Sequence, residues 1–219
     1  KLGVMLPYMP FHYLLFERLE LPAIVLTSSN ISDNPIIIDD DLAWQHFGSS
    51  VDAVVSYNRE IYNRTDDSVV MVSNGKARMI RRSRGYVPLP VKLQLPTDGI
   101  IAAGAELNNC FCVGKGYHAY LSQHIGDLKN WETYNFYTES LQRFLRMFRI
   151  KPDLIVHDMH PDYLSTRFAR EYGLPTMAVQ HHHAHMAACM AEYDLDEKVI
   201  GVIMDGTGYG EDGNIWGGE

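Results

Sequence analysis

The chain has 219 residues, 46% of them hydrophobic, enough to bury the core of one or two domains and to exclude a disordered polypeptide. A formal net charge of −8 excludes a broad nucleic-acid backbone footprint, and no apolar run approaches the ~20 residues of a membrane span. Three cysteines, Cys110, Cys112 and Cys189, form neither a disulfide framework nor a paired C-x-x-C zinc pattern, so a reducing cytoplasm is the simplest expected location.

Lys1 opens the chain with neither an initiator Met nor a signal peptide, and residues 214–219 stop inside what reads as a strand, so the chain reads as an excised piece. Up to about residue 87 it reads as short apolar strands with one helix. Residues 23–26 are expected as a strand running into residues 27–35, a loop dense in hydroxyls, amides and turn formers. That loop offers donors to an anion; it reads also as a plain turn with helix-capping residues, the commoner outcome for such clusters. Residues 39–47 are the expected helix and 53–56 the next strand. Asn74-Gly75 lies between strand-like runs at 69–73 and 76–80, a strong hairpin signal because both central residues take positive φ. The hairpin exit carries Arg81, Arg82 and Arg84, whose guanidiniums can grip phosphate oxygens in bidentate fashion or form a solvated basic turn. Together with the Ser/Asn loop, Arg59 and Arg64, they favour phosphate binding.

Pro88, Pro90 and Pro96 punctuate a stretch with little periodic pattern that reads as a linker. Beyond it, residues 100–103, 110–113 and 117–121 read as strands. Residues 131–148 read as a helix whose Leu141, Phe144, Leu145 and Phe148 make one apolar face. A strand at 154–156, a helix at 161–172, a strand at 176–179, a His-rich helix and a strand at 199–204 follow. The alternation implies a parallel or mixed sheet packed with helices, with ligands gathered at the carboxyl ends of its strands.

Four of the ten histidines are His181, His182, His183 and His185. A tag would be terminal, and this cluster lies between apolar runs. His181 and His185, four apart on a helix, point from one face and can reach one ion together, whereas His182 and His183 point elsewhere. With Asp205 they fit a two-His, one-carboxylate site; the bland alternative is a polar cap or solvated patch. The metalloprotease pattern is absent, because His182 stands where its Glu would be. Asp205-Gly206-Thr207-Gly208-Tyr209-Gly210 reads as a Gly-rich turn at a strand tip. Gly206, Thr207 and Gly208 there can approach a phosphate, and Asp205 faces the ion or a magnesium-bound phosphate. The turn lacks the Lys of a P-loop and runs into a hairpin, so it is neither a Walker nor a Rossmann fingerprint. Strand, acidic Gly-rich turn and strand at 100–113 are echoed at 200–217, the arrangement of an actin-like ATPase fold. His124, His157 and His160 are further candidates, read as structural.

On stretches at 2–7, 27–33, 65–70, 80–88, 104–108, 121–128, 158–167, 179–192 and 205–219, the sequence resembles the HypF carbamoyltransferases of hydrogenase maturation over nearly its whole length. The resemblance implies an α/β fold in which residues 1–87 are the second half of a YrdC-like domain, 88–98 a linker, and 99–219 the truncated first lobe of a TsaD-like domain of the actin-like ATPase class. It implies that the whole enzyme makes carbamoyl-adenylate from carbamoyl phosphate and ATP, with magnesium, and passes the carbamoyl group to the C-terminal cysteine of the partner HypE. No nucleic-acid or membrane partner is implied. Ser28 and Asn30 resemble a Ser-x-Asn phosphate contact, and Ser68, Arg81 and Arg82 lie in stretches near the nucleotide. His181, His185 and Asp205 resemble three ligands of one transition metal, iron or zinc, with a fourth, an Asp, expected beyond Glu219. The resemblance assigns no catalytic residue. The acylphosphatase and zinc-finger regions, the first half of the YrdC-like domain and most of the second actin-like lobe have no counterpart here. The piece alone is therefore expected to bind metal weakly and to transfer no carbamoyl group. The alternatives are a tRNA threonylcarbamoyl transferase, a small-molecule O-carbamoyltransferase, and a noncatalytic metal- or nucleotide-binding scaffold. The acidic balance disfavours the first, as does His-His-His-Ala-His where that family has His-x-Glu-Gly-His.

Overall fold

The structure, a computed structural model, describes residues 4–31 and 34–219; the ends of two resembling stretches, at Leu2, Gly3, Ser32 and Asp33, lie outside the described residues. Two helices come first. α1 (Pro10–Leu19) begins with Pro in its first turn, where the missing N–H has no partner to lose, and ends at Glu20 in the left-handed conformation, φ 52°. The sequence pattern does not announce α1, because only His12 is buried and the helix shows no apolar stripe. α2 (Asp40–Phe47) is the expected helix, begun one residue later because Asp39 is its N-cap and accepts from the Leu42 amide at 2.8 Å.

β1 (Val69–Ser73) and β2 (Lys76–Arg81) form the expected hairpin, with Asn74 at φ 52° and Gly75 at φ 72°. Residues 23–26, 53–56 and 199–204, expected as strands, join no ladder. Several of their apolar side chains lie open to solvent, Val25 at 101% and Ile200 at 94% exposure. A strand needs a neighbour for its amides and carbonyls, and none pairs with these three among the described residues.

The remainder is built on six strands: β3 (Val91–Lys92), β4 (Ile100–Ala102), β5 (Cys112–Lys115), β6 (His118–Leu121), β7 (Leu154–Asp158) and β8 (Thr176–Val179). They lie in the order β3-β6-β5-β4-β7-β8, with β4, β7 and β8 parallel and the rest antiparallel, so the sheet is mixed. The stretch expected as a linker supplies β3, which pairs Val91 with Ala119 at the sheet edge. α3 (Trp131–Phe148) has the bounds its periodicity predicts and is capped by Asn130, whose side chain accepts from the Glu132 amide at 2.9 Å. It lays Phe136, Tyr137, Leu141, Phe144 and Leu145 into a core shared with Ile101, Val113 and Ile155 of the sheet and with Phe111 just before β5. Phe111 meets Tyr137 and Phe144 edge-on at 5.6 and 5.2 Å. Each fully buried side chain of this size contributes about 1.5–3 kcal/mol.

α4 (Leu164–Glu171) and α5 (His181–Glu192) follow β7 and β8, and a short hairpin of β9 (Gly208–Tyr209) and β10 (Ile215–Trp216) closes the described chain. α4 starts later than the sequence suggests, since residues 161–163 form a turn. The parallel strands point their carboxyl ends the same way, so Asp158 at the tip of β7 stands level with Val179 at the tip of β8. No helix among the described residues is long and apolar enough to cross a membrane.

Candidate functional site

β8 hands the chain directly to α5. Gln180 remains extended as the N-cap, and its side chain accepts from the His183 amide at 2.9 Å, which starts the helix at His181 and brings His185 round one turn later. The rings of His181 and His185 meet at 4.8 Å, edge to face. His181 Nε2 lies 3.2 Å from His185 Nε2 and 3.0 Å from Asp205 Oδ2, and His185 Nε2 lies 3.2 Å from that same oxygen. Ligand atoms each about 2.1 Å from one divalent cation lie roughly 3.0–3.4 Å from one another, so this near-equilateral triangle fits a metal. His183 is exposed, and His182 is buried with neither ring nitrogen partnered among the described residues, so neither joins the triangle.

The electrostatics favour a cation. The hydrogen bond with Asp158 raises the pKa of His181; burial opposes that rise and Asp205 adds to it. Burial tends to raise Asp205, but hydrogen bonds from His185 and from the Thr207 and Gly206 amides, with the charge of His181, hold it below the usual carboxylate value. Burial pushes the thiols of Cys110 and Cys112 up, the latter to about 12, so neither is a thiolate ligand near neutrality.

Gly206 and Thr207 are exposed beside Asp205, whereas Gly208 is buried. A Cβ at Gly208 would stand 2.7 Å from His182 Nε2, so this glycine lets the His182 ring close over the turn. His157 is buried with Nδ1 2.6 Å from the Asp158 carbonyl oxygen, and His160 stacks on Tyr163 at 4.1 Å. Both stand in the β7–α4 corner as structural residues. Asp158 is the group the sequence reading passes over: its Oδ2 lies 2.6 Å from His181 Nδ1. An acidic residue at the carboxyl end of an apolar strand is the signal that marks it.

A second feature is a cavity of about 270 Å³ between the N-terminal part and the loop before α3. Ser28, Asn30 and Arg81 line it, with Arg64, His124 and Asp127. Ser28 Oγ donates to Asn30 Oδ1 at 2.6 Å. Arg64 is tied to Glu139 at 3.2 Å and donates to the Ile36 carbonyl at 3.0 Å, while Arg81 enters no ion pair among the described residues. Burial, then the charge of Arg81, lowers the pKa of His124, so the imidazole is neutral there at neutral pH. Ser68 and Arg82 are not brought to this cavity. Ser68 Oγ donates to the Arg84 carbonyl at 2.8 Å and accepts from the Ser83 amide at 2.9 Å, and Arg82 donates to the Tyr86 and Leu89 carbonyls at 3.1 and 2.7 Å. Both hold the turn after β2. His124 and Asp127 reach the cavity from far along the chain, which no local spacing announces.

Residues 96–192 match the family described as the HypF Kae1-like domain, and residues 1–83 match the Sua5/YciO/YrdC family, described as telomere recombination. Fold and site together thus define a class, a mixed α/β chain in which a YrdC-like part is joined to a Kae1-like part. Carbamoyltransferase HypF2 of Cupriavidus necator and carbamoyltransferase HypF of Rhizobium leguminosarum are each 42% identical over the whole chain. A full-length HypF solved in its phosphate- and nucleotide-bound form superposes with a TM-score of 0.89 at 48% identity, over 99% of this chain and 34% of that one. HypF of T. kodakarensis superposes with a TM-score of 0.88 at 43% identity, over 99% of this chain and 29% of that one. Over its whole length the chain is similar to the HypF carbamoyltransferases. It spans about 30% of the length of those curated relatives.

Proposed function

We propose that this chain supplies two working surfaces of an ATP-dependent carbamoyltransferase of hydrogenase maturation: a cavity for carbamoyl phosphate and nucleotide, and a metal centre for carbamoyl transfer. The convergence of His181 Nε2, His185 Nε2 and Asp205 Oδ2 within 3.2 Å of one another carries the reading. Two imidazoles and a carboxylate suit iron or zinc. Bound there, the cation supplies Lewis-acid polarisation of a carbonyl or orientation of a phosphate.

The residues of the chain divide the remaining work. Arg81, with the Ser28–Asn30 pair, screens the negative charge that carbamoyl phosphate and magnesium-bound ATP bring together when carbamoyl-adenylate forms. His124, neutral beside Arg81, can offer a hydrogen bond without adding charge. The amides of Gly206 and Thr207 donate to the Asp205 carboxylate, and the exposed Thr207 offers its hydroxyl to the phosphate of the adenylate. In the transfer, the C-terminal cysteine sulfur of HypE bonds to the carbamoyl carbon as the bond to the AMP oxygen breaks. The relative in the phosphate- and nucleotide-bound form supports the choice of ligands.

The test uses the protein expressed from its complete reading frame. Exchange of pyrophosphate into ATP is expected to require carbamoyl phosphate, and Arg81→Ala to slow it by about tenfold or more, the worth of a charge-assisted hydrogen bond. Exchange that ignores carbamoyl phosphate would sink the carbamoyl reading. Elemental analysis is expected to find iron or zinc in the wild type and to lose it in His181→Ala; equal metal in both would remove His181 from the ligands.

A further inference from the structure

A carboxylate stands behind the His181 ring, on the side away from the triangle. Asp158 ends β7 opposite Val179 of β8, which places its side chain beside the first residue of α5. That side chain is 7% exposed and uses both oxygens. Oδ1 accepts from the His160 amide at 2.8 Å, and Oδ2 lies 2.6 Å from His181 Nδ1. The Asp158 carbonyl in turn accepts from Thr166 Oγ1 at 3.0 Å, which pins the backbone from which the carboxylate projects. A carboxylate oxygen offers only lone pairs, so the facing Nδ1 must carry a proton; Nε2, 3.0 Å from Asp205 Oδ2, is then the nitrogen whose lone pair a cation takes when it displaces any second proton there.

We propose that Asp158 is a positioning residue, which selects the Nδ1-protonated tautomer of His181 and aims the Nε2 lone pair at the point shared with His185 and Asp205. The inference rests on the metal reading above. Asp158 touches neither the reacting atoms nor the cation; it acts through His181.

Asp158→Asn tests it, because the amide keeps the shape but has one acceptor oxygen instead of two. The His160 N–H is a fixed donor and claims that oxygen, leaving the NH2 group facing His181 Nδ1. Nδ1 then accepts, and the proton moves to Nε2, where it blocks the lone pair. In the protein expressed from its complete reading frame, Asp158→Asn is expected to bind Co²⁺ about 10–100-fold more weakly than wild type. The His181 ring ¹⁵N shifts of the metal-free protein, assigned by their loss in His181→Ala and followed to a pH at which the ring is neutral, are expected to show the proton on Nδ1 in wild type and on Nε2 in the variant. Wild-type affinity in Asp158→Asn beside weakened binding in His181→Ala overturns the positioning role alone, as does weakened binding with the tautomer unchanged. Wild-type affinity in His181→Ala overturns the metal reading instead. Should Asp158→Asn fail to fold, the wild-type tautomer decides: a proton on Nδ1 supports the role, and a proton on Nε2 overturns it.

Discussion

In the proposed metal site a proton and a cation would compete for one atom, His181 Nε2. With Nδ1 already committed to Asp158 and Asp205 3.0 Å from Nε2, the second proton is held more tightly than on a free imidazole, whose pKa is ~6.5. Co²⁺ uptake followed spectroscopically is therefore expected to weaken as pH falls, with the decline already under way above about 6.5. Uptake that stays flat down to about pH 5.5 would contradict the assignment. The sign for the metal-free fold is opposite. A folded-state pKa raised above the unfolded one gives a stabilising contribution that is complete below about 6.5 and fades as pH rises through the folded value.

The elements differ in how plainly the sequence declares them. α3 is legible because Leu141, Phe144 and Leu145 recur at helical spacing and all are buried, and the β1–β2 hairpin because Asn74-Gly75 accepts positive φ at both positions. α1 is not legible, since an exposed helix needs no stripe, and residues 23–26, 53–56 and 199–204 read as strands by composition although pairing, which composition does not encode, is missing. β5 carries a constraint of its own. Gly114 lies where a Cβ would stand 1.9 Å from the Thr97 carbonyl oxygen, in the segment that returns from β3. Gly114→Ala is expected to lower the urea midpoint by the equivalent of about 1–3 kcal/mol, as overpacking does, and an unchanged midpoint would contradict the close packing of β5 on that segment.

At the scale of the whole molecule, Arg64 joins the two parts. It pairs with Glu139 of α3, donates to the Ile36 carbonyl, and sits 5.5 Å over the Phe136 ring. Arg64→Ala is expected to speed proteolytic cleavage between residues 87 and 99 several-fold, read by mass spectrometry of the nicked products, with Arg59→Ala, which stacks on Tyr57, cleaved at the wild-type rate. The cavity that Arg64 helps to line shows why the His181–His185–Asp205 triangle was half legible in sequence and the cavity less so. His181 and His185 are neighbours by helical period, whereas Ser28, Arg81 and His124 are gathered only by the fold. Last, the ladderless run Val199-Ile200-Gly201-Val202-Ile203-Met204 turns its side chains alternately inward and out, and Ile200, Val202 and Met204 are 94%, 73% and 90% exposed. Six apolar residues with no proline and no charge are the makings of a dry, interlocking spine between stacked copies. When concentrated, this polypeptide is expected to gel or fibrillate from that hexapeptide, and a Val202→Lys gatekeeper to keep it in solution.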